Sequence, residues 1–473
     1  MESKSLQKAL VATMVAFGLE SAYAITANPN VSMGKSLYVA GAVNTNWKPE
    51  VYTDGSLDFN QIASVSDFAL NVGEGPTKLF ITWETRGDEA WASEEYVHAE
   101  SCQHSFSEGA TLKNFKVMTS ANTTDGVDGD WETVAEVGES GVTSRGLAID
   151  FAGKSWFRIV AESPVVNLEE VGAYDISDGG NDTWFFMGTS ISQMGMKQFA
   201  VDSNFAQLVH ARFQDHYPAM LRGGIGCVTS QGVVDALKYY AEYVGNVKFW
   251  AIEMGTNDAW GGSNTNVATF TKNLQTIIDT AKAHGVVPII ARMIATNPEI
   301  AKWQVHQDYL DAIDKLTKDN DLPSGPDFYS YFLEHPEELS ASDGVHPAEP
   351  AGGQAMHRLW AEAVAPLYKD KKFDATESDG EENSGSTEKF RPIAKAHFAT
   401  LQVSVQGRAL MISGLRESAR VTVADMTGHI AWSGNAPRSA GNSTVALEKL
   451  PVGNYFVVIR SASGAYKAKI SIK

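Results

Sequence analysis

The stretch Thr183-Trp184-Phe185-Phe186-Met187-Gly188-Thr189-Ser190-Ile191-Ser192 decides the fold. Residues 183–187 are a short apolar run, which reads as a buried parallel strand, and Gly188 then lets the chain turn sharply. A serine just past the carboxyl end of a strand in an open α/β sheet sits where such sheets bind ligands. The grammar recurs downstream: Val247-Lys248-Phe249-Trp250-Ala251-Ile252 is strand-like, and Gly255-Thr256-Asn257-Asp258 follows it. Next, Val267, Phe270, Leu274, Ile277, Ile278 and Ala281 recur on one helical face, Gly285 follows as a C-terminal cap, and Val286 to Ile290 begins another strand. Strands alternating with helices predict an α/β fold, a three-layer α/β/α sandwich on a parallel sheet.

A third string, Asp343-Gly344-Val345-His346-Pro347, completes a chemical set. Ester hydrolysis needs a hydroxyl that attacks, a base beside it, a group orienting the base, and donors for the oxyanion. Residues three apart in a turn lean toward one another, so the Asp343 carboxylate can accept the imidazole N–H of His346 and leave its other nitrogen for Ser190. The roles that follow are Ser190 as nucleophile, His346 as general base and then acid, and Asp343 as orienter. Asn257 donates its side-chain amide to the oxyanion beside the backbone N–H of Ser190. Each block has a bland reading of its own: Ser190 caps the next helix, Asn257 is a turn residue, and Asp343 caps a helix spanning Pro347 to Tyr368. The order of all three is the signal. His357 lacks a carboxylate at the three-residue spacing and reads as a helix residue that packs or faces solvent, while Trp260 reads either as a wall of the acyl pocket or as core.

These blocks, in the order Ser, Asn, Asp and His over residues 182–370, resemble the SGNH hydrolase superfamily, the GDSL esterases. The resemblance implies a further oxyanion donor, a backbone N–H in the block matching Arg222-Gly223-Gly224-Ile225-Gly226-Cys227-Val228-Thr229-Ser230. Aligning Ile225 and Thr229 places Cys227 where a glycine normally stands, and a one-residue shift gives Gly226. A departure lies before the nucleophile, where the common Gly-Asp-Ser reads Gly188-Thr189-Ser190. Other chemistries fit less well: a Gly-x-Ser-x-Gly elbow around Ser190, a His-Glu-x-x-His zinc helix and a phosphate loop with its lysine are all missing from the sequence. With only Cys102 and Cys227, no cysteine-ligated metal site is expected, and the chemistry requires no cofactor.

Length and composition divide the 473 residues into further pieces. Residues 1–24 read as a signal peptide: Lys4 and Lys8 precede an apolar run, and Ala22-Tyr23-Ala24 offers small residues for cleavage. That run is too short to span a bilayer, and no later one is longer, so no membrane span is expected. Residues 25–178 are β-rich, with strand-like runs at 79–83, 115–118, 147–151 and 156–160. Asp128 to Val134 followed by Trp156 to Ile159 and Leu168 to Val171 looks like the galactose-binding-like jelly roll, and Trp47, Trp83, Trp91 and Trp131 offer themselves as sugar platforms or as core. Residues 371–395 hold an acidic, small-residue segment that reads as a flexible linker. The segment 396–473 alternates again and reads as a small C-terminal β-sandwich, and its ending resembles type IX sorting domains, which would address it to secretion machinery. The formal net charge of −19 disfavours nucleic acid and anionic membranes as partners. Cys102 and Cys227 fall in different pieces, so no structural disulfide is expected.

Together these features imply a secreted or surface serine esterase acting on acetylated polysaccharide, acetylxylan or a related hemicellulose, in an arrangement similar to carbohydrate esterases with a jelly roll before the SGNH domain. Two alternatives carry the same sequence features: a lipid or lysophospholipid esterase with the same triad, and a carbohydrate-binding surface protein without turnover.

Overall fold

The computed structural model describes residues 25–43, 49–56, 63–85, 114–138, 144–162, 166–196, 203–237, 240, 247–260, 265–368, 402–413, 419–425, 430–436, 442–447, 450–461 and 464–472. The signal-peptide and linker readings, and those on Trp47, Trp91 and Cys102, fall outside these residues. The chain divides into two compact units, residues 1–378 and 379–473.

In the first unit a five-stranded parallel sheet is built from β1 (Thr183–Gly188), β2 (Ala219–Gly224), β3 (Phe249–Glu253), β4 (Val287–Arg292) and β5 (Ser324–Asp327) in the order β2-β1-β3-β4-β5. The first three strands are buried at every position, which is why β1 and β3 read as apolar runs rather than as alternating ones. Two separate apolar clusters cover the two faces of the sheet. One gathers Phe185, Trp250 and Ile252 with Phe270, Leu274 and Ile277 of the helix Val267–Ala283; the other gathers Trp184, Phe186 and Phe249 with Met356, Trp360 and Val364 of the helix Ala351–Val364. The three-layer α/β/α architecture expected from the sequence is therefore the one observed. Gly285 ends the first of these helices in the left-handed region (φ 72°), as its position predicts. The last helix begins at Ala351 rather than at Pro347.

This strand order reverses direction at β1, whose two neighbours are β2 and β3. In doubly wound sheets the crevice outside the carboxyl ends of the strands at such a reversal is the ligand site. Ser190 follows β1 and Asn257 follows β3, so both lie at that crevice.

Two antiparallel sheets precede the α/β core. Six strands run in the order Ala42–Val43, Leu37–Val39, Asp67–Asn71, Trp156–Ala161, Phe115–Ser120, Glu132–Val137, and four in the order Ala63–Val65, Val166–Asp175, Lys78–Thr85, Ser144–Asp150. Leu37, Phe68, Phe157 and Ile159 from the first sheet meet Leu79, Ile81, Trp83 and Leu168 from the second in one core. Trp83 is thus a core residue against Phe115 rather than a sugar platform. Trp131 is half-buried, its indole N–H donating to the carbonyls of Val127 and Asp128 and its ring facing Arg158.

The four-stranded sheet is buried on its other face as well. Phe80 and Tyr174 join the cluster of the α/β core. Beside them Arg222 of β2 donates to Glu84 Oε2 (3.0 Å) and to Glu169 Oε2 (3.4 Å), all three side chains being nearly inaccessible. In the second unit, a three-stranded sheet (Gln402–Gln406, Ala409–Ser413, Asn442–Ala446) and a four-stranded one (Ile430–Ala436, Ala419–Asp425, Gly453–Ser461, Gly464–Ile472) are antiparallel and enclose Leu410, Ile412, Val421, Val423, Val457 and Ile459.

Candidate active site

Past the end of β1 the chain enters a one-and-a-half-turn helix, Ser190–Gly195, whose N-cap is Thr189. The Thr189 hydroxyl accepts the Ile191 N–H (3.1 Å), so the capping role open to Ser190 is taken by its neighbour. Ser190 stays half-exposed, and its Oγ lies 2.9 Å from His346 Nε2. The imidazole Nδ1 lies 3.1 Å from Asp343 Oδ2. A hydroxyl, an imidazole and a carboxylate are thus in hydrogen-bonding series although 156 residues separate the first two.

The Asp343 carboxylate is held by its own turn. Oδ1 accepts the backbone N–H groups of Val345 (2.8 Å) and His346 (3.0 Å), and the Ser340 hydroxyl donates to Oδ2 at 3.1 Å. Burial pushes this carboxyl up, but the N–H groups of His346 and Val345 and the imidazole outweigh it, and it sits below the ordinary aspartate range. Asp343 is therefore ionised at neutral pH and fixes the ring so that Nδ1 carries the proton and Nε2 faces Ser190. It does not cap the last helix, whose N-cap is Pro350 and has no side-chain hydrogen bond.

Asn257 lies on the short helix Thr256–Ala259, which starts from Gly255 at φ 127°, a backbone conformation that only glycine adopts without strain. Its Nδ2 donates to the Val228 carbonyl at 2.8 Å, using one of the two amide hydrogens. Next to it, Asp258 accepts the Ser230 N–H (2.9 Å) and hydroxyl (2.6 Å), with burial pushing its carboxyl up to about 6. The loop from β2 to the helix Ser230–Asp235 is therefore stapled at Val228 and Ser230 to the turn after β3. That loop also reaches the nucleophile turn: the Ile225 N–H donates to the Gly188 carbonyl at 3.0 Å. A side chain at Gly224 would lie 2.2 Å from the Gln193 nitrogen, so only glycine allows this approach. Gly226 is buried in the same loop; Cys227 is half-buried, in the left-handed region at φ 56°, and is disulfide-bonded. The expectation of no structural disulfide is thus corrected. It came from assigning the two cysteines to separate pieces, whereas the β-rich piece and the α/β core pack on each other.

His357 is fully buried and its Nδ1 accepts the Phe205 N–H at 3.1 Å, so it is a packed residue outside this constellation. Trp260, read as pocket wall or core, is 51% exposed three residues after Asn257, which removes the core reading. The sequence reading missed Glu253, which ends β3 behind the nucleophile turn and accepts from the Thr189 hydroxyl at 3.1 Å. Its one signal was an acidic residue closing an otherwise apolar run, Phe249-Trp250-Ala251-Ile252-Glu253-Met254. Gly224, Asp258 and Arg222 were likewise passed over for this role.

No protein-family model matches the chain, and no curated protein matches it. Among solved structures, a lipase/acylhydrolase from Enterococcus faecalis is 20% identical, covering 38% of this chain and 94% of its own at a TM-score of 0.31. An acetylxylan esterase from Geobacillus stearothermophilus is 16% identical, covering 40% and 94%, with a TM-score of 0.30. A protein from Bacillus subtilis is 14% identical and covers 70% of this chain and 88% of its own, with a TM-score of 0.36.

Proposed function

We propose that this chain is a serine esterase that removes acetyl groups from plant cell-wall polysaccharide, acetylated xylan or a related hemicellulose, through an acyl-enzyme on Ser190. The observation that carries the reading is the series Ser190 Oγ, His346 Nε2, His346 Nδ1, Asp343 Oδ2, at 2.9 and 3.1 Å.

Ser190 Oγ attacks the ester carbonyl while His346 Nε2 takes its proton, and Asp343 stabilises the imidazolium that forms. The negative charge moves to the carbonyl oxygen, which receives the Ser190 N–H, the second amide hydrogen of Asn257 and the N–H of Gly226 or Cys227. Collapse expels the sugar oxygen, which takes the proton from His346, and the acetyl group remains on Ser190. Water, deprotonated by the same nitrogen, then releases acetate.

Polysaccharide is favoured over lipid by the surroundings. Trp260, three residues after Asn257 in the chain, is 51% exposed, and an accessible indole suits a sugar ring. A chain with a formal net charge of −19 suits an uncharged polymer better than an anionic membrane. The disulfide at Cys227 suits an oxidising compartment, which supports export after removal of residues 1–24.

Acetate release from acetylated xylan should exceed that from acetylated mannan and pectin, and activity on p-nitrophenyl esters should decline beyond four-carbon acyl chains. A steady gain in kcat/KM with each added methylene would transfer the reading to lipids, since a lipase pocket gains affinity from every buried CH₂. Retention on insoluble xylan with no turnover of any ester would leave only the binding-protein alternative. In Asn257→Ala, kcat should fall about 10²- to 10³-fold, because a donor aimed at developing charge acts chiefly in the transition state. Steady-state kinetics showing a raised KM at unchanged kcat would remove Asn257 from the oxyanion role.

A further inference from the structure

β1 and β3 are parallel neighbours, and their register sets Gly188 opposite Glu253. The strand ends therefore bring the side chain of Glu253 beneath the turn that carries Ser190. The Thr189 hydroxyl donates to Glu253 Oε2 at 3.1 Å, and the Ser192 hydroxyl donates to the same oxygen at 3.4 Å. Glu253, Thr189 and Ser192 are all buried. Thr189 Oγ1 accepts the Ile191 N–H as the helix cap, so its own proton needs another acceptor, and Glu253 supplies it. From the same residue the chain runs through Met254 and Gly255 to Thr256 and Asn257.

We propose that Glu253 is a positioning residue for the reaction: its side chain locks the residue before Ser190 to the strand that carries Asn257, so that nucleophile and oxyanion donor keep one fixed separation. This rests on the esterase reading of Ser190 and Asn257. Glu253 touches neither reacting atom. It acts through Thr189 on one side and through its own backbone on the other.

The lock is sensitive to protonation. Burial pushes the Glu253 carboxyl up to about 7, opposed by the hydroxyl and N–H of Thr189 and by the hydroxyls of Ser192 and Thr256. None of these groups is charged. A proton on Oε2 would turn the shared acceptor into a donor facing two hydroxyls. The folded chain holds this proton more tightly than the unfolded one. Stability from this group is therefore full below the unfolded glutamate value and is lost as pH rises through about 7.

The test uses the full chain with Thr189→Val, Thr189→Ser, Glu253→Gln and the Thr189→Val/Glu253→Gln pair. Thr189→Val and Glu253→Gln should each lower kcat on p-nitrophenyl acetate by about 10- to 100-fold at near-constant KM. The double variant should be no worse than the poorer single one, and Thr189→Ser, which keeps the hydroxyl, should restore turnover. Thermal unfolding should show the wild type losing stability relative to Glu253→Gln between pH 5 and pH 8. Wild-type kcat in Thr189→Val, multiplicative losses in the double variant, or a pH-independent difference in unfolding temperature would overturn the lock while leaving the esterase intact. If the wild type neither cleaves esters nor is labelled at Ser190 by a fluorophosphonate, the nucleophile reading falls and takes this proposal with it.

Discussion

Replacing Ser190 with alanine lowers kcat on p-nitrophenyl acetate by about 10⁴- to 10⁶-fold, the range seen when a nucleophile working with a base is removed. The loss is large because the acyl-enzyme route disappears, leaving the oxyanion donors to assist direct attack by water. Removing His346 as well should cost little more, since base and nucleophile act as one unit. The substitution leaves the fold alone: Thr189 caps the helix, and Ser190 Oγ is half-exposed with the imidazole as its neighbour. Unfolding free energy should therefore stay within about 0.5 kcal/mol of the wild type. Purified Ser190→Ala retaining a tenth or more of wild-type turnover would exclude the covalent mechanism.

Arg222→Leu should destabilise the first unit by about 3–5 kcal/mol, because it removes the cation that donates to the buried carboxylates of Glu84 and Glu169. The wild-type pair is not in itself a large source of stability, since desolvating three charges offsets most of their attraction. The cost arises from breaking the set. Adding Glu84→Gln and Glu169→Gln to Arg222→Leu should accordingly recover much of the loss. Urea unfolding at pH 7 reads both effects as shifts in midpoint, and an Arg222→Leu midpoint equal to that of the wild type would show that the carboxylates find other partners. Because Arg222 lies on β2, just before the loop that holds Gly226 and Cys227, activity should fall along with stability.

Much of this was legible from local patterns. The apolar runs of β1 and β3 and the helical spacing from Val267 to Ala281 announced the α/β core, since a strand buried on both faces leaves no alternation to misread. Asp343 and His346 were legible as a pair because the turn that joins them also supplies the N–H groups that hold the carboxylate. What was not legible joins residues that are remote in sequence. Thr189 stood out only as a departure from Gly-Asp-Ser, and the carboxyl group beside it comes from Glu253, 64 residues on. Arg222 meets Glu84 across 138 residues, and no periodicity records such a meeting. Trp83 was ambiguous because an alternating strand with two buried faces carries large residues on both, and only the packing tells which face is which.

The four-stranded sheet has no outside. Leu79, Ile81 and Trp83 point into one core, while Phe80 and Tyr174 point into another. A shortened chain starting at β1 would present to water the patch that Phe80 and Tyr174 now cover, together with an Arg222 that has lost Glu84 and Glu169. The region before residue 180 is therefore not cargo that can be exchanged freely for another binding module, since its four-stranded sheet packs on the α/β core and supplies the anions of Arg222 on β2.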